Sequence, residues 1–172
     1  MAVVSDANIL SSLAAADALD FLPKVFLGDD ILIPVAVEQE LQTGVAYGQS
    51  HLKRILQSIE TGGIQVSHLT DIERALTISL PRKLHSGERE GIVLCRVRKH
   101  LFLSNDKRAI RYCQANGIET VNLEAFLRLV WVKHIHSQNE VKALIKTMQT
   151  IEKLTLNQAQ WDKIFAPRPH KS

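Results

Sequence analysis

The stretch that decides the fold is Val3-Val4-Ser5-Asp6-Ala7-Asn8-Ile9-Leu10, at the start of the chain. The two β-branched valines favour a short buried strand. Asp6 and Asn8 interrupt that strand, and helical spacing of apolar residues begins at Ile9. A carboxylate at the carboxyl end of a first strand lies where open α/β sheets bind ligands. Asp6 is also a residue type favoured at helix N-caps, so a purely structural capping role is the competing interpretation.

The remainder of the chain repeats this passage from strand to helix. Short strands are predicted at residues 31–33, 64–69, 101–104 and 118–121. Helical spacing is predicted at residues 14–22, 35–41, 51–60, 71–80, 86–97, 107–115 and 123–132. We expect breaks at Gly44 to Gly48 and at the Gly62-Gly63 pair. Strands that alternate with helices in this way predict a βαβ architecture.

The overall composition is that of one globular domain with, at most, a modest tail. The chain has 172 residues, a net charge of +3 and 45% hydrophobic residues. No apolar run is long enough to span a bilayer, and the N-terminus lacks a basic signal-peptide region, so we expect a cytoplasmic protein without membrane contact. Cys95 and Cys113 fall within apolar helical patterns, which indicates buried thiols rather than a disulfide framework or a zinc site.

The C-terminal segment is helical and basic. We expect two helices within residues 133–166, packed on the domain core or on a second subunit, and a disordered tail at 167–172. Lysines such as Lys142 and Lys146 outnumber the acids of this segment. They form either a track for the phosphates of a nucleic acid or a solvated helix face that serves solubility.

Four acids stand out by their position along the chain. Each follows a strand or opens a helix: Asp6, Glu40, Glu88 and Asp106. In a right-handed parallel topology these junctions lie at one edge of the sheet, so four separate caps explain the pattern less well than one acidic pocket. Clustered carboxylates repel one another, and a hard divalent cation relieves that repulsion. Oxygen ligands without His or Cys favour Mg²⁺ or Mn²⁺, which support attack of activated water on a phosphodiester while the acids hold the cation.

The helix predicted from Ser86 carries one acid on its apolar face. Glu88, Ile92 and Cys95 are spaced i, i+4 and i+7, so they share one face of the helix. A glutamate at the head of a buried stripe needs a cation, a hydrogen-bonding helix terminus or partial exposure, because an isolated buried carboxylate is costly. Ser86 is the expected N-cap, and Glu90 is expected to lie in solvent.

The ordered set of four motifs resembles the PIN-domain nucleases over about residues 1–130. The opening strand with Asp6 and Asn8 looks like the first motif of that family, and Ile33-Pro34-Val35-Ala36-Val37-Glu38-Gln39-Glu40 looks like the second, with its acid at Glu40 rather than Glu38. Ser86-Gly87-Glu88 resembles a glycine-glutamate form of the third motif. Ser104-Asn105-Asp106 is similar to the fourth, in which Ser or Thr precedes the acid by two residues.

The resemblance implies a three-layer α/β/α sandwich with a central, mainly parallel sheet over residues 1–132. It also implies endonucleolytic cleavage of single-stranded RNA that depends on Mg²⁺ or Mn²⁺, with Asp6, Glu40, Glu88 and Asp106 as catalytic metal ligands and with Asn8 and Ser104 as auxiliary residues. Many members of the family are toxins that a protein antitoxin neutralises, and many form homodimers. This chain departs from the pattern because Glu replaces the commoner Asp at position 88 and because the chain is longer than a compact toxin.

Two other functions remain open on the sequence. A non-catalytic module would keep the PIN-like fold and use its basic tail to bind nucleic acid or a protein partner. A phosphoryl-transfer enzyme on small substrates would also need an acidic pocket. The second option is weakened because the chain has no Gly-x-x-x-x-Gly-Lys nucleotide loop and no Thr-Asp-Gly series.

The basic tail generates a first prediction. If it forms a phosphate track, the double substitution of Lys142 and Lys146 by Ala weakens RNA binding and flattens the plot of log affinity against log salt. Each lost phosphate contact lowers that slope by about 0.7 for a single strand. Fluorescence anisotropy over a range of salt concentrations measures the slope. An unchanged slope would assign these lysines to packing and solubility.

Overall fold

The chain forms a five-stranded sheet flanked by helices, in a computed structural model that describes residues 1–167. The strands are β1 (Val3–Ser5), β2 (Ile31–Pro34), β3 (Gln65–Ser67), β4 (Leu101–Leu103) and β5 (Thr120–Val121). The helices are α1 (Ala7–Ala15), α2 (Phe21–Val25), α3 (Val35–Ala46), α4 (Lys53–Glu60), α5 (Asp71–Ile78), α6 (Ser86–Arg98), α7 (Lys107–Ala115), α8 (Leu123–Val132), α9 (Gln138–Glu152) and α10 (Gln158–Phe165), with a 3₁₀ turn at Ser50–Leu52. Apart from Pro167, the tail predicted to be disordered lies outside the described residues.

The sheet is parallel throughout, in the order β3-β2-β1-β4-β5. β1 is the central strand, and Val3 aligns with Ile31 on one side and with Leu101 on the other. Helices cover both faces, so the predicted α/β/α sandwich with a mainly parallel sheet is confirmed. Since every strand runs in the same direction, all carboxyl ends meet at one edge.

Successive side chains of β1 pack into two separate hydrophobic cores. Val3 packs with apolar residues of α1, α2, α8 and α9, whereas Val4 packs with those of α6 and α7. Both valines are fully buried, as expected for a strand covered on both faces. Cys95 and Cys113 are free, buried thiols of the second core, as the sequence predicted.

Two helix boundaries differ from those predicted. The helix expected over residues 14–22 is broken, because α1 ends at Ala15 and Asp17 adopts a left-handed conformation with φ of 55°. This reversal lets Ala18 and Leu22 pack back onto the core of α1. Conversely, α3 continues through the predicted break at Gly44, where a Cβ atom would lie 2.4 Å from Leu52 Cδ1. The glycine therefore serves close helix packing rather than helix termination.

The C-terminal helices pack on the domain. α9 lies against α1 and α8, and α10 lies against α8, with Ile145 and Ile164 fully buried. The indole N–H of Trp131 donates a hydrogen bond to the Ile164 carbonyl at 2.6 Å. A domain division at residue 132 stays a prediction. None of the helices within residues 1–167 combines the length and the apolar character needed to cross a bilayer.

One ion pair holds the edge of the sheet to the second core. The Glu73 side chain on α5 is 4% exposed and accepts two hydrogen bonds of 2.7 Å from the Arg98 guanidinium on α6. Arg98 also donates to Ser67 Oγ at 2.9 Å, at the end of β3. The hydrogen bonds from Arg98 hold the pKa of Glu73 at about 2, below its usual value of 4.5. The pair therefore ties α5, β3 and α6 together.

Removal of Arg98 should destabilise the fold because it leaves the Glu73 carboxylate buried without its partner. We expect Arg98→Ala to lower the free energy of unfolding by about 3 kcal/mol at neutral pH. Since the folded-state pKa of Glu73 is depressed, the stabilisation is present above pH 4.5 and is lost as the pH falls towards 2. Urea denaturation at several pH values measures the loss. Arg96→Ala, at an exposed position of the same helix, is the control, and equal stability of the two variants would contradict the prediction.

Candidate active site at the carboxyl edge of the sheet

The carboxyl edge of the sheet contains a cavity of about 550 Å³. All four acids singled out in the sequence line it: Asp6, Glu40, Glu88 and Asp106. They come from the β1–α1 junction, from α3, from the first turn of α6 and from the β4–α7 junction. Asn8 also lines the cavity and is exposed. The parallel topology thus brings together acids that lie up to 100 residues apart in the chain.

Asp6 is the most buried of the four acids, with 5% of its surface exposed. Its Oδ1 accepts a hydrogen bond from the Ile9 N–H at 3.0 Å, so it caps α1, and its Oδ2 accepts a hydrogen bond from the Ser104 hydroxyl. Burial raises the pKa of Asp6 from 3.8 to about 6, against the opposing effect of these hydrogen bonds, and the charge of Glu88 adds to the rise. The expected N-cap role is therefore real, but the carboxylate faces the cavity as well.

Ser104 connects the two strand ends that carry the aspartates. It is fully buried, and its Oγ accepts a hydrogen bond from the Asp106 N–H at 3.2 Å while its hydroxyl donates to Asp6. Asp106 in turn caps α7, since its Oδ1 accepts from the N–H groups of Arg108 at 2.7 Å and Ala109 at 2.9 Å. Ser104 therefore fixes the position of Asp6 relative to the start of α7.

Glu88 and Glu40 both line the cavity where α6 packs against α3. A Cβ atom on Gly87 would lie 2.8 Å from Val37 Cγ2 and 3.7 Å from Glu40 Oε2, so the absence of a side chain allows the two helices to approach. Glu40 is exposed to solvent and lines the cavity, whereas Glu38 does not line it. The choice between these two acids could not be made from helix-dipole arguments, and the direction of α3 decides it.

The N-terminus of α6 differs in detail from the sequence expectation. His85, not Ser86, is the N-cap residue, and Glu88 Oε2 accepts a hydrogen bond from the His85 N–H at 3.0 Å. Burial raises the pKa of Glu88, and the negative charge of Asp106 raises it further, in opposition to the hydrogen bond from His85. Glu90 was expected in solvent, but it is partly buried, and its Oε2 accepts from the Ala36 N–H at 3.1 Å. Glu90 thus joins α6 to the first turn of α3.

Sequence reasoning missed a polar cluster on the opposite wall of the cavity. The Ser11 hydroxyl donates to Glu152 Oε1 at 2.9 Å, and His51 Nε2 lies 2.7 Å from the same oxygen and 2.9 Å from Ser11 Oγ. Ser11 and Glu152 both line the cavity. Ser11 and Glu152 are 141 residues apart, and no motif signals their contact. The cluster attaches the end of α9 to α1 and to the 3₁₀ turn.

The donor set of the cavity fits a hard divalent cation in its chemistry. The four acids offer oxygen atoms alone, and burial raises the pKa of Asp6 and Glu88, so a nearby cation would favour their charged forms. Within residues 1–167, no group of three or more His, Cys, Asp or Glu side chains is already arranged as a metal cluster. Asp6, Glu88 and Asp106 each direct an oxygen to a backbone N–H group at the start of their own helix.

A parallel α/β/α sandwich whose strand ends collect acids in one cavity has the architecture of a PIN-type nuclease fold. A family model described as a PIN domain (DUF3368) matches residues 2–166, so the chain belongs to the PIN-domain family. PIN domains are generally nucleases and typically use divalent metal ions. The search of curated proteins found no match to the chain.

The raised pKa of Asp6 generates a prediction about stability without metal. An acid whose folded-state pKa is about 6 instead of 3.8 is costly to ionise in the fold, so the stability it provides falls as the pH rises through this range. We expect metal-free Asp6→Asn protein to match or exceed the wild type near pH 8, by up to about 2 kcal/mol, and to lose that advantage near pH 4. Thermal and urea denaturation measure both proteins.

The exposed Asp20 of the α2 N-cap provides the control, because its side chain is 58% exposed. Asp20→Asn should show no gain in stability near pH 8, because it removes only an exposed ion pair with Lys24. An Asp6→Asn variant that is less stable than the wild type across the whole pH range would show that the carboxylate serves the fold chiefly as a cap.

Proposed function

We propose that the protein is a metal-dependent endoribonuclease that cleaves single-stranded RNA. The observation that carries the proposal is the convergence of Asp6, Glu40, Glu88 and Asp106, from four separate junctions, on one cavity of about 550 Å³. A volume of this size is typical of sites for small ligands, so it suits a phosphodiester with an adjoining nucleoside. Membership of the PIN-domain family supports the nuclease class.

The four acids would hold the cation. The oxygen donors of the four acids suit Mg²⁺ or Mn²⁺ better than Zn²⁺, although one imidazole, that of His85, also lines the cavity. A bound cation of this kind supplies an activated water and offsets the negative charge that develops on the phosphate. The protein's own contribution is to bring the four carboxylates into one cavity before the substrate arrives.

Hydrogen bonds to backbone and side-chain groups orient these acids. The Ile9 N–H and the Ser104 hydroxyl each donate a hydrogen bond to one oxygen of Asp6 and so fix both oxygens. Ser104 Oγ also accepts a hydrogen bond from the Asp106 N–H, so Ser104 acts as a positioning residue. Because the pKa of Asp6 is about 6, a fraction of the metal-free molecules retains a proton on this carboxyl group near neutral pH. Asn8, exposed at the cavity wall, offers an amide to the RNA.

The proposal extends to a toxin of a toxin–antitoxin pair, with an antitoxin protein as a partner and a homodimer as the assembly. The support for this part is the resemblance of the four motifs to the PIN-domain family, many members of which are toxins. The four acids would act on the phosphate backbone through the bound cation, and that backbone is common to every RNA sequence.

A non-catalytic binding module is the second candidate function, and one observation favours it. Three of the four acids already accept backbone hydrogen bonds at helix starts, and no three acids within residues 1–167 form a prepared metal cluster. If capping were their whole role, the acids would need no cation. Glu40 separates the two functions, since its exposed side chain makes no hydrogen bond or ion pair within the described part of the chain.

Glu40→Gln should therefore abolish cleavage without a structural cost. We expect RNA cleavage with Mn²⁺ or Mg²⁺ to fall by roughly 100-fold or more, because even residues that only support metal ligands typically cost 10- to 100-fold. The thermal midpoint should stay at the wild-type value. A cleavage assay on a mixed pool of single-stranded RNAs, followed by gel electrophoresis, measures the loss.

Glu38→Gln is the matched control, because Glu38 lies on the same helix but does not line the cavity. This variant should cleave as the wild type does. A preparation of Asp106→Asn, in which the amide oxygen can still cap α7, detects contaminating nuclease. Equal, metal-dependent cleavage by the wild type and Glu40→Gln would refute the proposed role of the acids.

A further inference from the structure

The cavity extends beyond the four acids to further residues, for which the proposed metal site gives no role. Tyr47 lines the same cavity and is 84% exposed, the highest value among the exposed large hydrophobic residues of the described chain. Its side chain makes no hydrogen bond, ion pair or ring contact with any of residues 1–167. The fold therefore gains little from this ring, which stands in solvent beside the proposed catalytic acids.

Tyr47 shares one face of α3 with the acid of that helix. Glu40, Thr43, Gly44 and Tyr47 are spaced i, i+3, i+4 and i+7, and all four line the cavity. At 1.5 Å per residue, seven residues separate the acid from the aromatic ring by about 10 Å along the helix. That length corresponds to about three nucleotides of a stacked strand.

The backbone around Tyr47 is held firmly. Its N–H donates to the Thr43 carbonyl at 3.0 Å, and the N–H of Gly48 donates to the Val45 carbonyl at 3.0 Å. Gly48 has a φ of 93°, which reverses the chain so that the Gln49 N–H reaches the Gly44 carbonyl at 3.0 Å. The backbone that carries the ring is thus fixed, so binding would need to order only the side-chain torsions of Tyr47.

We propose that Tyr47 is a base-stacking platform that positions single-stranded RNA in this cavity, an inference that rests on the proposed ribonuclease function. Aromatic side chains stack on unpaired bases with little regard for sequence, and such stacking is the usual way in which proteins grip single strands. A base in a duplex is already stacked on its neighbours, so its face is not available for stacking on the tyrosine ring. Tyr47 therefore selects single-stranded substrate and places a phosphate of the same strand at the acids.

The two ends of the cavity would act on different parts of the RNA. The acid end would act on the phosphate through the bound cation, and the chemistry of the phosphate does not vary with sequence, whereas the Tyr47 end contacts a base about three nucleotides away or fewer. Gln49 is exposed and lines the cavity, and its amide oxygen lies 3.3 Å from the position that a Cβ atom on Gly44 would take. The ring supplies affinity, and its distance from Glu40 sets the register of the strand.

Substitutions that keep or remove the ring test the platform. Tyr47→Ala should raise both the Kd and the KM for a short, mixed-sequence single-stranded RNA about tenfold and leave kcat close to the wild-type value. Tyr47→Phe keeps the ring and should behave as the wild type. Ile78→Ala removes another exposed apolar side chain, 82% exposed on α5 and outside the cavity, and should change neither constant.

An RNA series in which one base at a time is removed gives a readout specific to stacking. Loss of the base that stacks on the ring should weaken wild-type binding about tenfold, at one position within about three nucleotides of the cleaved bond. The same loss should not weaken the binding of Tyr47→Ala any further. Equal Kd and KM for the wild type and Tyr47→Ala would overturn the inference, as would base-removal effects that are identical in the two proteins. Equal Kd and KM values for the two proteins are also the result expected if Tyr47 contacts a protein partner instead of RNA.

Binding and cleavage separate the two proposals. RNA that binds the wild type without metal-dependent cleavage would refute the ribonuclease function, and the Kd values would still decide the role of Tyr47. Cleavage by the wild type that is unaffected by Tyr47→Ala would refute the platform alone. A wild-type protein that neither binds nor cleaves the RNA would overturn both.

Discussion

The parallel pairing of β1 between β2 and β4 is the constraint on which the rest of the structure depends. It places the end of β1, with Asp6, beside the end of β4, where Ser104 donates a hydrogen bond to the Asp6 carboxylate. A shift of β1 by one residue would exchange Val3 and Val4 between the two hydrophobic cores and turn the strand end away from Ser104. The cores therefore fix the register, and the register fixes the site.

The acids of the cavity have a role in the fold and a role in the proposed chemistry, and different oxygens of the same carboxylates are available for the two roles. Asp6, Glu88 and Asp106 each accept a hydrogen bond from the start of a helix, and for Asp6 and Glu88 this bond lowers the pKa and so favours the charged form. Burial works against this effect and raises the pKa of Asp6 and Glu88. These opposing effects leave the carboxylates fixed in position but costly to ionise, and a bound cation would lower that cost. Function of this kind usually costs stability at the site and relies on the surrounding core for compensation.

The C-terminal helices contribute to the cavity as well as to the core. Glu152, the last residue of α9, contacts Ser11 and His51 and lines the cavity. The family match, which runs to residue 166, includes these helices. A chain cut after the last strand and its helix would lose one wall of the cavity, since Glu152 would be absent.

The sequence alone determined the βαβ alternation, the two buried cysteines and the positions of the four acids, because strand and helix periodicity and the residues at element ends are local properties. It did not determine the break after Ala15, the continuation of α3 through Gly44, the capping role of Glu90 or the cluster of Ser11 with Glu152. Those features arise from contacts between residues distant in the chain, where packing overrides local preference. The resemblance of the motifs favoured Glu40 over Glu38 as the second acid, but only the tertiary structure, through the parallel order of the strands and the packing of α3 against α6, placed Glu40 and Tyr47 in the same cavity as the other three acids.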